Sequence, residues 1–172
     1  MSRKEDKMKE AFSYDDVLLV PKYSEVESRS QVSLDSKLAS DLVFRTPIIA
    51  SPMDTVSGFE MAMKLSELGG VAIIHRYCSI AEQTTIVRQV KNAGERVGAA
   101  VGSTGDYMDR VTALYNAGVD FVCIDVAHGH HISVYNAIRN IRDHYGPAIH
   151  IMAGNVATSE AFEALQTWGA NS

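Results

Sequence analysis

Cysteine is scarce in this sequence. Only Cys78 and Cys123 occur among 172 residues, in no CxxC or Cys/His ligand spacing, which excludes a disulfide scaffold and fits a reducing cytoplasm. Long apolar runs are missing too. No segment approaches the roughly 18 consecutive apolar residues that a membrane span needs. The opening Met1-Ser2-Arg3-Lys4-Glu5-Asp6-Lys7 carries both charges and is not followed by the apolar core of a secretory signal. Basic residues are outnumbered, 16 Lys and Arg against 21 Asp and Glu, for a net charge of -5 without a basic cluster. A nucleic-acid surface is therefore not expected. The expectation is a cytoplasmic protein with neither membrane nor nucleic acid as partner.

What is present is periodic. Residues 1–10 are mostly charged and read as a tail. Residues 11–45 read as an N-terminal strand and loop segment: Ala11–Lys22 as a short strand or turn that packs through its apolar side chains, Ser24–Ser30 as a solvated polar loop, Val32–Phe44 as a short hairpin. From residue 46 the pattern is regular. Strand-like runs at Pro47–Ala50, Val71–Ile74, Val97–Val101, Phe121–Ile124 and Ile149–Ala153 each leave through polar or glycine-rich residues into an amphipathic helix. Ser79 with Glu82 forms a capping box, and Thr158 caps the last helix. The glycines that stop the helices, Gly69, Gly94, Gly118, Gly146 and Gly169, recur every 23 to 28 residues.

That interval is one β/α unit. Five such units predict a parallel sheet with right-handed crossovers, as an open doubly wound sheet or a (β/α)8 TIM barrel. The barrel is favoured because no unit carries a G-x-G-x-x-G turn and the repeats are nearly uniform. A barrel of about 250 residues has eight units, so residues 46–172 hold about the first five, and the chain reads as a fragment or a natural truncation.

In a barrel the strand C-termini share one rim. Here it is assembled from Ser51-Pro52-Met53-Asp54-Thr55, His75-Arg76, Gly102–Gly105, Asp125–Gly129 and Gly154-Asn155. Hydroxyls, one carboxylate, an amide and close-approach glycines suit a polar small molecule with a flat ring and ribose hydroxyls. Each residue also has a plainer role open to it. Asp125 could cap the next helix, Asn155 could bond only backbone, and Cys123 reads as core. Cys78 reads as inert despite nearby Arg76. His128, His130 and His131 lack the spacing of a metal set, and no metal site is expected.

Several motifs carry a resemblance: Tyr14-Asp15-Asp16-Val17-Leu18-Leu19, Ser28-Arg29-Ser30, Ser51-Pro52-Met53-Asp54-Thr55-Val56, Ile74-His75-Arg76, Asp125-Val126-Ala127-His128-Gly129-His130 and Met152-Ala153-Gly154-Asn155-Val156. With these in this order the chain resembles the IMP dehydrogenase and GMP reductase family. The resemblance implies a tetrameric (β/α)8 enzyme acting on a purine mononucleotide with a nicotinamide cofactor. By motif, Asp125, Val126, Ala127 and Arg76 would meet the cofactor. Ser28 and Arg29 would reach its adenosine end in a neighbouring subunit, and Ser51, Met53 and Asn155 would lie on the nucleotide side.

The regulatory CBS insertion usual in the dehydrogenase is absent between Val90 and Val97. This absence, Phe59–Ala62 and the Asp125-Val126-Ala127 triplet resemble the reductase, whereas Leu68–His75 resembles the dehydrogenase. The resemblance thus favours an NADPH-dependent reductase making IMP from GMP, with an NAD-dependent dehydrogenase or a non-catalytic half-barrel as alternatives. The family's catalytic cysteine and its monovalent-cation site, one for an ion such as K+, belong to a loop after a sixth strand. No catalytic residue is therefore assigned in this chain.

Overall fold

The computed structural model describes residues 10–39 and 42–172. The tail reading of residues 1–10 lies outside these but for Glu10, which is exposed. The chain forms two compact units, Met1–Val32 and Ser33–Ser172. In the first, 3₁₀ turns run over Tyr14–Asp16 and Arg29–Gln31. Within this unit Leu18 and Leu19 of Ala11–Lys22 are 95% and 98% exposed. The physical reason is size, since a unit of some thirty residues offers too little surface to bury them.

The second unit opens with a two-stranded antiparallel ribbon, β1 (Ser36–Lys37) and β2 (Val43–Phe44), in which Ser36 faces Phe44 and Lys37 faces Val43. Five β/α pairs follow. They are β3 (Ile49–Ala50) with α1 (Phe59–Glu67), β4 (Val71–Ile74) with α2 (Ile80–Asn92), β5 (Gly98–Val101) with α3 (Tyr107–Asn116), β6 (Phe121–Asp125) with α4 (Ile132–Tyr145), and β7 (His150–Gly154) with α5 (Ser159–Trp168). The five helix-stopping glycines all have positive φ, from 54° to 115°. The predicted caps form as well. Ser79 Oγ accepts from Glu82 N at 3.2 Å while Glu82 accepts from Ser79 N at 2.9 Å, and Thr158 accepts from Ala161 N at 3.1 Å.

The sheet is parallel throughout, and its spatial order, β3-β4-β5-β6-β7, is its sequence order. A doubly wound sheet reverses its order at a switch point. No reversal occurs among these strands, so the architecture fits part of a (β/α)8 barrel. Residue parity divides the two faces. Ala72, Ile74, Ala99, Val101, Val122, Ile124 and Ile151 pack against the helices, with Val87, Val90, Leu114, Ile138 and Leu165 among their partners. On the opposite face Val71, Ile73, Ala100, Phe121 and Cys123 pack with Leu42 and Phe44 of the ribbon. Gly98 makes room there: a Cβ on it would stand 2.4 Å from Cζ of Phe121.

Candidate functional site

Parallel strands place their C-terminal ends together, and there the chain turns polar. Parity sets the direction of Asp125, which follows Phe121 and Cys123 on the face away from the helices. It ends β6 opposite Gly154 of β7. It does not cap the next helix: α4 begins seven residues later, and its cap is His131, whose side chain accepts from Ser133 N.

A cleft of about 440 Å3 opens at this end, lined by Ser51, Pro52, Met53, Asp54, Tyr77, Asp125 and Asn155. Four residues singled out from the sequence, Ser51, Met53, Asp125 and Asn155, therefore meet in one place. The loop bearing the first two is shaped from within. Met53 N donates to Ser51 O, Met53 O receives Ser57 N at 2.8 Å, and the hydroxyl of fully buried Ser57 donates to Ser51 O. Ser57 escaped the sequence reading because a serine ahead of a helix looks like one more loop residue.

The β6 and β7 exit loops are laced together. Val126 N donates to Gly154 O at 3.0 Å, and Val126 O accepts both Asn155 N at 2.7 Å and Asn155 Nδ2 at 3.0 Å. Gly129 N donates to Asn155 O at 2.7 Å, and a Cβ at Gly129 would stand 2.8 Å from that oxygen. Asn155 thus lines the cleft and bonds backbone at once. Val126 does not line the cleft; it packs against the helix-side core, and its backbone groups are engaged with β7. Ala127 is exposed beside it.

Arg76 flanks the cleft. Its Nη2 reaches Asp125 O at 3.4 Å and its guanidinium lies over the Tyr77 ring at 5.6 Å. Its Nε is buried and has no partner among the described residues. Ser28 and Arg29 belong to the first unit, where Ser28 Oγ accepts from Ser30 N to cap the turn and Arg29 is exposed.

Neither cysteine has the environment of a nucleophile. Burial pushes the Cys123 thiol up to about 12, helped by the charge of Asp125. Burial also raises Cys78, and outweighs the opposing pull of the Arg110 guanidinium; it is Arg110, not Arg76, that acts on this thiol. A thiol raised in this way holds its proton at neutral pH. Among the histidines, His131 caps α4 and His130 lies 5.6 Å from the Trp168 ring. No cluster of His, Cys, Asp or Glu among the described residues has the arrangement of a metal site.

A family model described as the IMP dehydrogenase / GMP reductase domain matches residues 11–172. The chain belongs to this family. The GMP reductase of Phytophthora infestans is 34% identical over 164 residues, covering 92% of this chain and 45% of that protein. An inosine-5'-monophosphate dehydrogenase of Cryptosporidium parvum is 31% identical over 202 residues, covering 92% and 49%. Another, from Nitrosopumilus maritimus, is 25% identical over 281 residues, covering 91% and 59%. The chain spans about half the length of the curated relatives it matches. The alignment with the Nitrosopumilus protein is longer than the 172-residue chain itself, so that dehydrogenase carries residues for which this chain has no counterpart. The reductase aligns almost without such gaps.

Proposed function

We propose that these 172 residues supply one side of the active site of a purine-nucleotide oxidoreductase, with GMP and NADPH as substrates and IMP and ammonia as products. The observation that carries the reading is the meeting of Ser51, Met53, Asp125 and Asn155 on one polar cleft at the strand C-termini. That is where parallel β/α folds bind ligands. Within this reading Ser51 and Met53 contact the mononucleotide, and Asn155 fixes the edge of its base or sugar. Asp125, a short polar side chain, orients the amide and hydroxyl groups of the cofactor.

The residues present fit a dinucleotide. The buried Nε of Arg76 lacks an acceptor, and a guanidinium with an unused N–H in a dry setting is suited to a phosphate oxygen. Gly129 and Gly154 let backbone rather than side chains border the loops. NADPH, when bound, supplies the hydride. The residues of this chain hold and orient. Val126 acts by tying the two exit loops, and Ala127 offers a small side chain beside Asp125. Neither raised thiol is suited to attack the purine, and the family resemblance implies a nucleophilic cysteine in a loop after a sixth strand.

Reduction rather than oxidation is supported by the nearly gap-free alignment with a GMP reductase. The dehydrogenase reading, IMP with NAD, has its own support in the 31% identity to the Cryptosporidium protein. A paired assay separates the two. GMP with NADPH should give loss of nicotinamide absorbance and release of ammonium in the complete enzyme, whereas IMP with NAD should not give the reverse absorbance change. XMP formation would replace the reductase reading with the dehydrogenase one. The 172-residue chain should bind NADPH without turnover; steady ammonium release by that chain would contradict the placement of the nucleophile elsewhere.

A further inference from the structure

Gln83 lies on α2 with its side chain fully buried. Its amide nitrogen stands 3.2 Å from Ile74 O, 3.0 Å from His75 O and 2.8 Å from Ala100 O, so its two hydrogens are shared among carbonyls at the C-terminal ends of β4 and β5. Its Oε1 accepts from Nη1 of Arg110 at 2.9 Å. Arg110, on α3 and also buried, sends Nη2 to Cys78 O at 3.2 Å and to Asp106 Oδ2 at 3.1 Å. The carbonyls of His75 and Cys78 are the two ends of one turn. Between them stand Tyr77, which lines the cleft, and Arg76, which flanks it. Asp106 ends the neighbouring exit loop, Gly102–Gly105, so one glutamine–arginine pair grips two adjacent loops of the rim.

Apolar side chains of the same volume would fill this space without the cost of dehydrating a guanidinium. What they would not supply is direction, because only donors aimed at carbonyl oxygens fix where a turn sits. We propose that Gln83 and Arg110 are positioning residues that hold the Arg76 guanidinium and the Tyr77 ring at the cleft for an anionic dinucleotide. The proposal rests on the reading of this rim as a dinucleotide site.

The test is a double-mutant cycle on the 172-residue chain, with NADPH binding followed by nicotinamide fluorescence. Gln83→Glu keeps the acceptor for Arg110 and the shape of the side chain but removes the donors to the three carbonyls. It should weaken NADPH binding about tenfold, the scale of one hydrogen-bonded contact to a charged group. In a background that lacks both side chains, Arg76→Ala with Tyr77→Ala, it should cause no further loss, because the contacts through which it acts are gone. Equal loss in both backgrounds would mean a general structural effect and would overturn the proposal, as would a folded Gln83→Glu chain binding as tightly as the parent. Should Gln83→Glu fail to fold, Arg110→Lys, which keeps the charge but not the fork, enters the same cycle with the same expectations.

Absence of NADPH binding by the parent chain would count against the functional reading instead. Positioning is then read from NMR resonances of the Arg76 Nε–H and the Tyr77 amide. Their displacement in Gln83→Glu, with Val122–Ile124 unmoved, supports the proposal, and unchanged resonances overturn it.

Discussion

The contact between Gly98 and Phe121 offers the sharpest test of the packing beneath the cleft. A methyl group at residue 98 would lie 2.4 Å from Cζ, 2.5 Å from Cε2 and 2.9 Å from Cε1 of Phe121. Those atoms are the far edge of a rigid, fully buried ring and not the end of a flexible chain that could swing aside. Gly98 also pairs with Phe121 across the β5–β6 ladder, so backbone separation is fixed by hydrogen bonds on either side. Gly98→Ala must therefore push the ring out of its rotamer or part the strands, at a cost of about 1–3 kcal/mol for overpacking a core. For a domain of this size each kcal/mol lowers Tm by about 2–4 °C. The assay is thermal unfolding by circular dichroism of Gly98→Ala, Phe121→Leu and the double variant. The smaller leucine makes room for the methyl group, so the double variant should lose less stability than the two single losses combined. Full additivity, or a Gly98→Ala chain as stable as its parent, would refute the placement of Phe121 over Gly98.

Three further outcomes are expected. Ser79→Ala removes both bonds of the Ser79 hydroxyl at the start of α2, the one it accepts from Glu82 N and the one it donates to the Glu82 carboxylate, and should cost about 1 kcal/mol in chemical denaturation. The Ser79 hydroxyl, and after it the Ser79 backbone N–H, hold the Glu82 carboxyl below its ordinary range. Its contribution is thus present above the unfolded carboxylate range and lost as pH falls through the lower folded value, and the variant, which keeps only the backbone bond, should show less of that acid sensitivity. Cys123 is raised to about 12. Its contribution is full below the unfolded thiol range and lost as pH climbs toward that value, so native chain should resist iodoacetamide at this site at pH 8, as read by mass spectrometry, and alkaline unfolding should be blunted in Cys123→Ala. Arg142 donates to Gly169 O at 2.8 Å, Gly146 O at 2.9 Å and Ile149 O at 2.6 Å, and also bonds Asn171. Arg142→Met strands these acceptors and should lower stability by about 2 kcal/mol in urea unfolding.

The repeat was legible in the sequence because its signals are local. A glycine with positive φ stops a helix whatever surrounds it, and Ser79 with Glu82 closes a capping box from residues three apart. Strand ends were legible too, which is why Ser51, Met53, Asp125 and Asn155 could be named before their cleft was seen. Roles set by long-range geometry were hidden. Gln83 and Arg110 are polar residues on amphipathic helices, and nothing nearby in the chain indicates that both are buried and 2.9 Å apart. Val126 was grouped with Asp125 by motif, but the next residue along a strand faces the other way, and Val126 joins the helix-side core. The apolar residues of Ala11–Lys22 suggested burial, yet composition names no partner, and Leu18 and Leu19 lie open.

In the function proposed above, the strand-end cleft binds both the purine nucleotide and the dinucleotide. Titration of isotopically labelled chain with GMP and NADPH, followed by amide NMR, tests it most directly. The account predicts saturable shifts confined to Ser51–Asp54, Arg76–Tyr77, Asp125–Ala127 and Asn155, and their loss for the dinucleotide in Asp125→Ala. Shifts at the opposite end of the strands, around Phe44 and Glu95–Arg96, or no saturable shifts with either ligand, would contradict it.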